Sequence, residues 1–155
     1  MAIPLLIAHV IAAMMWTGAV FMASLVDWPV LKRQAGDGRF PFEVVIGQGT
    51  QVFPWVYLAI GIMLVTSAGL AWMHWPTDTP GLVLLGVKFG ALSFMVGSTL
   101  YGTLGSWQKI QFATHEEAFQ IYGRYMIRAY IIFACGVAGH VAGILFSRRT
   151  EWFGW

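Results

Sequence analysis

The chain has 155 residues, of which 58% are hydrophobic and only 10% charged. A soluble domain carries about 25% charged residues, and a short chain buries only part of its surface, so this composition excludes an ordinary water-facing core and points to lipid as solvent. A formal charge of +2 with no basic run gives no footing for nucleic acid, which is not expected as a partner, and the lone Cys135 excludes an intramolecular disulfide.

Four apolar runs are long enough to cross a hydrocarbon core, which takes roughly 20 helical residues. The first runs from Ala2 to about Val26. It lacks a basic n-region and exceeds signal-peptide length, so it is expected to remain as an uncleaved helix. A polar connection, Lys32 to Gln51, follows, and its Pro-Phe-Glu-Val-Val stretch is expected to form a short interfacial helix. The second run is Phe53 to about Trp75, the turn is His74 to Pro80, and the third run is Gly81 to about Gly105. Trp107 to Tyr125 makes the second longer connection. Within it Thr114-His115-Glu116-Glu117 reads as a capping box that starts the fourth helix near His115, ahead of its apolar run Met126 to about Phe146. Backbone groups in lipid must be satisfied internally, so each run is a helix.

The expected fold is all-α: an integral membrane four-helix antiparallel bundle, residues 1–155, forming a single transmembrane domain. Trp28, Trp55, Trp72, Trp75, Trp107 and Trp152 crowd the ends of the runs as interfacial belts. Lys32, Arg33, Arg39, Lys109, Arg124 and Arg128 fall on the side of the longer loops, and only Arg148 and Arg149 on the other. The positive-inside rule puts the loops in the cytoplasm and both termini on the outer side, periplasmic if the membrane is a bacterial inner membrane.

Ionisable residues within membrane helices are costly, and a functional site is the default reading. His9, Lys88 and His140 each lie about 10 Å along their helices from the outer ends, at 1.5 Å per residue. His74 closes the second run on the same side. Two histidines at one depth on separate helices are what a six-coordinate b-type haem requires, since neutral imidazole is its common axial ligand. Gly136, Gly139 and Gly143 remove bulk around His140, Trp16 lies two turns below His9 on the same face, and Lys88 is placed to pair with a propionate or an anionic substrate. Plainer readings stand beside these. A lone membrane histidine often bonds a neighbouring helix, glycines allow close helix packing, and a lysine can snorkel towards headgroups. The agreement of three depths favours ligation by His9 and His140, with His74 as a substitute.

Other residues offer less. His115 beside two glutamates reads as a solvated helix start, and Asp27 and Arg128 read as a structural pair at the cytoplasmic ends of their helices. Methionines at 14, 15, 22, 63, 73, 95 and 126 are soft ligands for copper(I), but without Met-x-x-Met spacing most read as apolar filler.

His9-Val-Ile-Ala-Ala-Met-Met-Trp16-Thr-Gly18, with Phe21 and Trp28-Pro29-Val-Leu, resembles the first helix of the copper-resistance D superfamily, which includes the HemJ-type protoporphyrinogen oxidases. Thr66-Ser67-Ala-Gly69-Leu and Leu85-Gly-Val-Lys88-Phe are similar to its second and third helices. The likeness covers about the first two thirds of the chain and is to the superfamily broadly. The Arg-Leu-Phe-x-Tyr-His run of HemJ-type proteins is replaced by Met22-Ala-Ser-Leu-Val-Asp27-Trp-Pro29, and the fourth helix carries His140 instead of an Asn-Glu-Pro segment. The resemblance implies a haem-binding or copper-handling bundle, with His9 and Lys88 at the positions of the functional pair of HemJ-type enzymes. Sequence therefore leads to the expectation of haem b held by His9 and His140, with Lys88 as a catalytic or anchoring group. The role expected is electron transfer or oxidation of a quinol, a porphyrin or a redox protein partner. Copper transport and an accessory role in a homo-oligomer or larger membrane complex are the alternatives.

Overall fold

The computed structural model describes residues 2–34 and 38–147. Arg148, Arg149 and Trp152, used above for orientation and belts, lie outside the described residues. Helix α1 (Ala2–Phe21) continues through a π-helical segment, Met22–Asp27, into α2 (Trp28–Gln34). Helix α3 is Phe42–Met73. Helix α4 (Thr79–Leu100) runs through a second π-helical segment, Tyr101–Ser106, into α5 (Trp107–Ile110), and α6 is His115–Ser147. The chain thus forms four rods, and Ile3–Arg33, Phe42–Met73, Thr79–Ile110 and His115–Phe146 are each long and apolar enough to cross a membrane.

Local chemistry sets the rod ends. The capping box closes reciprocally: Glu117 N–H donates to Thr114 Oγ1 (3.4 Å) and Thr114 N–H to Glu117 Oε2 (2.9 Å). Asp78 caps α4 by accepting from Gly81 N–H at 2.9 Å, with Pro80 in the first turn where no donor is needed. The second rod starts at Phe42 rather than Phe53, so the expected interfacial helix is its opening turns. Val45 N–H reaches Pro41 O at 3.1 Å and the Val45 side chain is fully buried, which anchors those turns to the bundle.

The first π-helical segment has an identifiable cause. Trp28 N–H donates to Ala23 O, so the next carbonyl in that register, Ser24 O, faces Pro29, which has no N–H. Tyr130 O–H from α6 fills the gap at 2.7 Å. A proline in the first rod is thereby tied to a tyrosine in the fourth.

Cross-rod contacts fix the register. Leu5 and His9 meet Gly69 and Thr66; Thr17 and Ser24 meet Gly136 and Tyr130; Lys88, Met95 and Gly102 meet Gly143, Gly136 and Tyr125. Residue numbers rise on one rod as they fall on its neighbour, so the rods are antiparallel and the two ends of the described chain share one end of the bundle. The first rod packs on the second and fourth, and the third on the fourth.

Three layers stack along the bundle. At the loop end, Phe40, Trp107, Tyr122 and Met126 form a buried plug, with ring centroids 5.6 Å apart for Phe40–Tyr122 and 6.3 Å for Trp107–Tyr122. In the middle, Ala12, Trp16, Val56, Ile60, Leu92, Met95 and Ile132 form an apolar core. Among the described residues, no side chains fill the layer at the chain-end side, and that space is the site described next. The outer surface is apolar, with residues such as Val65 at 71% and Ile144 at 61% exposure, as lipid-facing helices require.

Two sequence expectations are corrected here. Trp107, expected in an interfacial belt, is only 7% exposed. Its indole lies over Gly49, where an added Cβ would overlap the ring, and Phe53 meets it edge-on at 4.7 Å. Asp27 and Arg128 do not pair. The Asp27 carboxylate accepts from Gln48 Nε2 at 3.2 Å, and Arg128 donates to Ser106 Oγ at 2.9 Å with its guanidinium 4.6 Å from the Tyr101 ring centroid. Trp72 and Trp75, at 88% and 63% exposure, do stand outward as belts do.

Candidate functional site

A cavity of about 690 Å³ occupies the chain-end layer. Its position follows from packing. The second and third rods are joined at the loop end, where Trp107 lies over Gly49 and Tyr57 O–H donates to Thr103 Oγ1 at 2.6 Å. No comparable approach links α3 to α4 toward the other end, and the space between them is closed at the back by α1 and α6. Its volume lies within the roughly 300–1,000 Å³ typical of small-molecule and cofactor sites.

The residues singled out by depth meet in this cavity. His9, Lys88, His140, Trp16, Gly136 and Gly143 all line it, and His74 lines it from the end of α3. The rest of the wall is apolar, with Leu6, Leu70, Leu92, Phe89 and Ile144 among its members.

The two imidazoles are held in the same way. Thr66 O–H donates to Ile62 O at 2.6 Å, so its oxygen is left to accept, and it accepts from His9 Nδ1–H at 2.9 Å. His140 Nδ1 lies 2.7 Å from Gly136 O, and a carbonyl only accepts, so this nitrogen also carries the proton. Each ring therefore carries a proton on Nδ1, and in its neutral form the lone pair is on Nε2. That is how a protein presents imidazole as a ligand: one nitrogen is fixed by a hydrogen bond and the other offers its lone pair. His9 is buried at 9% exposure, whereas His140 is exposed on its helix beside the cavity.

Lys88 crosses from α4 to α6, its Nζ 3.5 Å from where a Cβ on Gly143 would stand. Glycine at 143 thus leaves room for the ammonium to lie against α6. Gly136 has a different reason. A Cβ there would come within 2.7 Å of Thr17 Cγ2 and 3.3 Å of Met95 Cε, so this glycine serves the approach of the first and third rods to the fourth. Trp16, at 0% exposure, belongs to the middle core and forms the floor of the cavity.

Thr66 is the site residue that sequence reasoning missed. Its signal was available: it stands about 10 Å from the end of α3, at the depth of His9 in α1. Its polarity is hidden locally because its hydroxyl bonds its own backbone. His115 belongs elsewhere. It accepts from Phe40 N–H at 2.8 Å and lies 5.2 Å from the Phe42 ring, so it pins the first connection to the start of α6. Among the described residues no group of three or more His, Cys, Asp or Glu side chains converges as a metal site. The chain matches no protein-family model, no curated protein and no solved structure.

Proposed function

We propose that the chain is a b-type haem protein of a cell membrane, in which His9 and His140 would hold the haem. The observation that carries this reading is the pair of imidazoles lining one apolar cavity, each bonded at Nδ1 and open at Nε2. The residues present fit the group. Two imidazoles bonded at Nδ1 form the donor set, the walls suit a flat macrocycle, and one cation suits its carboxylates. Haem supplies one-electron chemistry at such a site.

The chain's own residues have distinct tasks in this reading. Thr66 and the Gly136 carbonyl hold the ring orientations and enrich the basicity of Nε2. Lys88, against α6 at Gly143, meets a propionate or an anionic substrate group. Trp16 closes the floor, so a membrane-soluble electron donor such as a quinol or a porphyrinogen reaches the cavity from between α3 and α4. The basic residues at the loop end favour that end in the cytoplasm and the haem near the outer face. The sequence likeness to the copper-resistance D superfamily, with His9 and Lys88 at the positions of the functional pair of HemJ-type enzymes, supports a haem site that includes these two residues.

Met63 and Met95 also line the cavity, so copper(I) held by thioether and imidazole is a second reading. Iron and copper content of protein purified from cells supplied with both, together with an oxidised and a dithionite-reduced absorption spectrum, separates the two. Haem predicts stoichiometric iron and a Soret band that shifts on reduction. Copper without a Soret band rejects the haem reading.

A further inference from the structure

On the loop side of Trp16 lies a second, much smaller cavity of about 70 Å³. It sits between the middle core and the two π-helical segments, with Ala23 and Thr103 contributing to its wall. Among the described residues, two buried side-chain polar atoms have no hydrogen-bond partner, Trp16 Nε1 and Thr99 Oγ1. Both residues line this cavity, at 0% and 8% exposure. A buried donor or acceptor left without a partner is destabilising, so such atoms call for one. The two residues that carry these atoms thus share one small space, whose wall Arg128 also joins.

We infer that this cavity is a hydration site, holding ordered water that accepts from Trp16 Nε1–H and bonds the Thr99 hydroxyl. The space suffices, since a water needs roughly 10–15 Å³ of this kind of volume and two to four polar partners. Thr103 supports the site from the side. Its hydroxyl donates to Thr99 O at 2.8 Å and accepts from Tyr57 O–H at 2.6 Å, so the helix turn that carries Thr99 is held in place. The indole donates but cannot accept, so the water fixes Trp16 and does not pass protons through it. The tryptophan that floors the large cavity is thus held from below by water. This inference is independent of what the large cavity binds.

Radiolytic hydroxyl labelling in ¹⁸O-water tests it on the full chain in lipid nanodiscs, because trapped water oxidises buried neighbours. Met126 is an internal control, reactive yet only 1% exposed and lining neither cavity. Trp16 is expected to take up label several-fold faster than Met126. Thr99→Val, which keeps the shape and removes the hydroxyl, lowers Trp16 labelling several-fold, and Thr99→Ser restores it. Trp16 labelling as slow as Met126 in the wild-type chain overturns the inference without any variant. Fast labelling unchanged by Thr99→Val overturns it too, since the water would then belong to the larger cavity.

Discussion

Replacing Thr66 with Val tests the claim that His9 is held as a ligand. Valine has the outline of threonine without its hydroxyl, and Thr66 is 4% exposed, so packing is kept while the acceptor 2.9 Å from His9 Nδ1 is lost. The Ile62 carbonyl keeps its helical donor, so the change falls on the imidazole alone. An unpaired buried N–H costs about 1–3 kcal/mol, and loss of a bond that orients a ligand histidine typically costs about 10–100-fold in affinity. Titrating haem into the apoprotein in nanodiscs and following the Soret band measures this directly. Thr66→Val is expected to weaken binding within that range, and Thr66→Ser to bind close to the wild type. Equal binding by wild type and Thr66→Val would refute the tautomer argument, because the hydroxyl would then have no part in presenting Nε2.

Lys88→Met removes the cation while keeping an apolar stem. The wild-type chain is expected to bind haem roughly 10–100-fold more tightly than haem dimethyl ester, from a charge-assisted bond of about 1.5–3 kcal/mol, and the variant to bind both alike. Gly49→Ala places a Cβ inside the Trp107 indole and should cost about 1–3 kcal/mol, seen as a lowered thermal midpoint in detergent, with haem binding unchanged below it. Thr114→Ala breaks the capping box and should cost about 0.5–2 kcal/mol in the same assay, with no spectral change.

The parts legible in sequence are those set by fixed geometry. A helix rises 1.5 Å per residue, so the common depth of His9, Lys88 and His140 could be counted, and they line one cavity. The capping box is local and forms as its spacing requires. What depends on pairing between rods was not legible. In lipid both faces of a helix are apolar, so no stripe announces which face is inward, and the partnership of Gly49 with Trp107 could not be seen. Trp107 therefore read as a belt residue until its cover was known. Asp27 and Arg128 were matched by depth alone, but depth does not give azimuth, and each found another partner. The first π-helical segment depends on Pro29 lacking a donor and on Tyr130 O–H supplying one to Ser24 O at 2.7 Å, a contact between residues far apart in the chain.

The central claim is that His9 and His140 are the two axial ligands of one haem. Electron paramagnetic resonance of the frozen ferric protein reads the number of strong axial ligands directly. The wild-type chain is expected to give a low-spin signal of two imidazoles, and His9→Ala and His140→Ala each to give a high-spin signal from the haem that they retain. A high-spin wild type, or a low-spin signal that survives both substitutions, would contradict the ligand assignment.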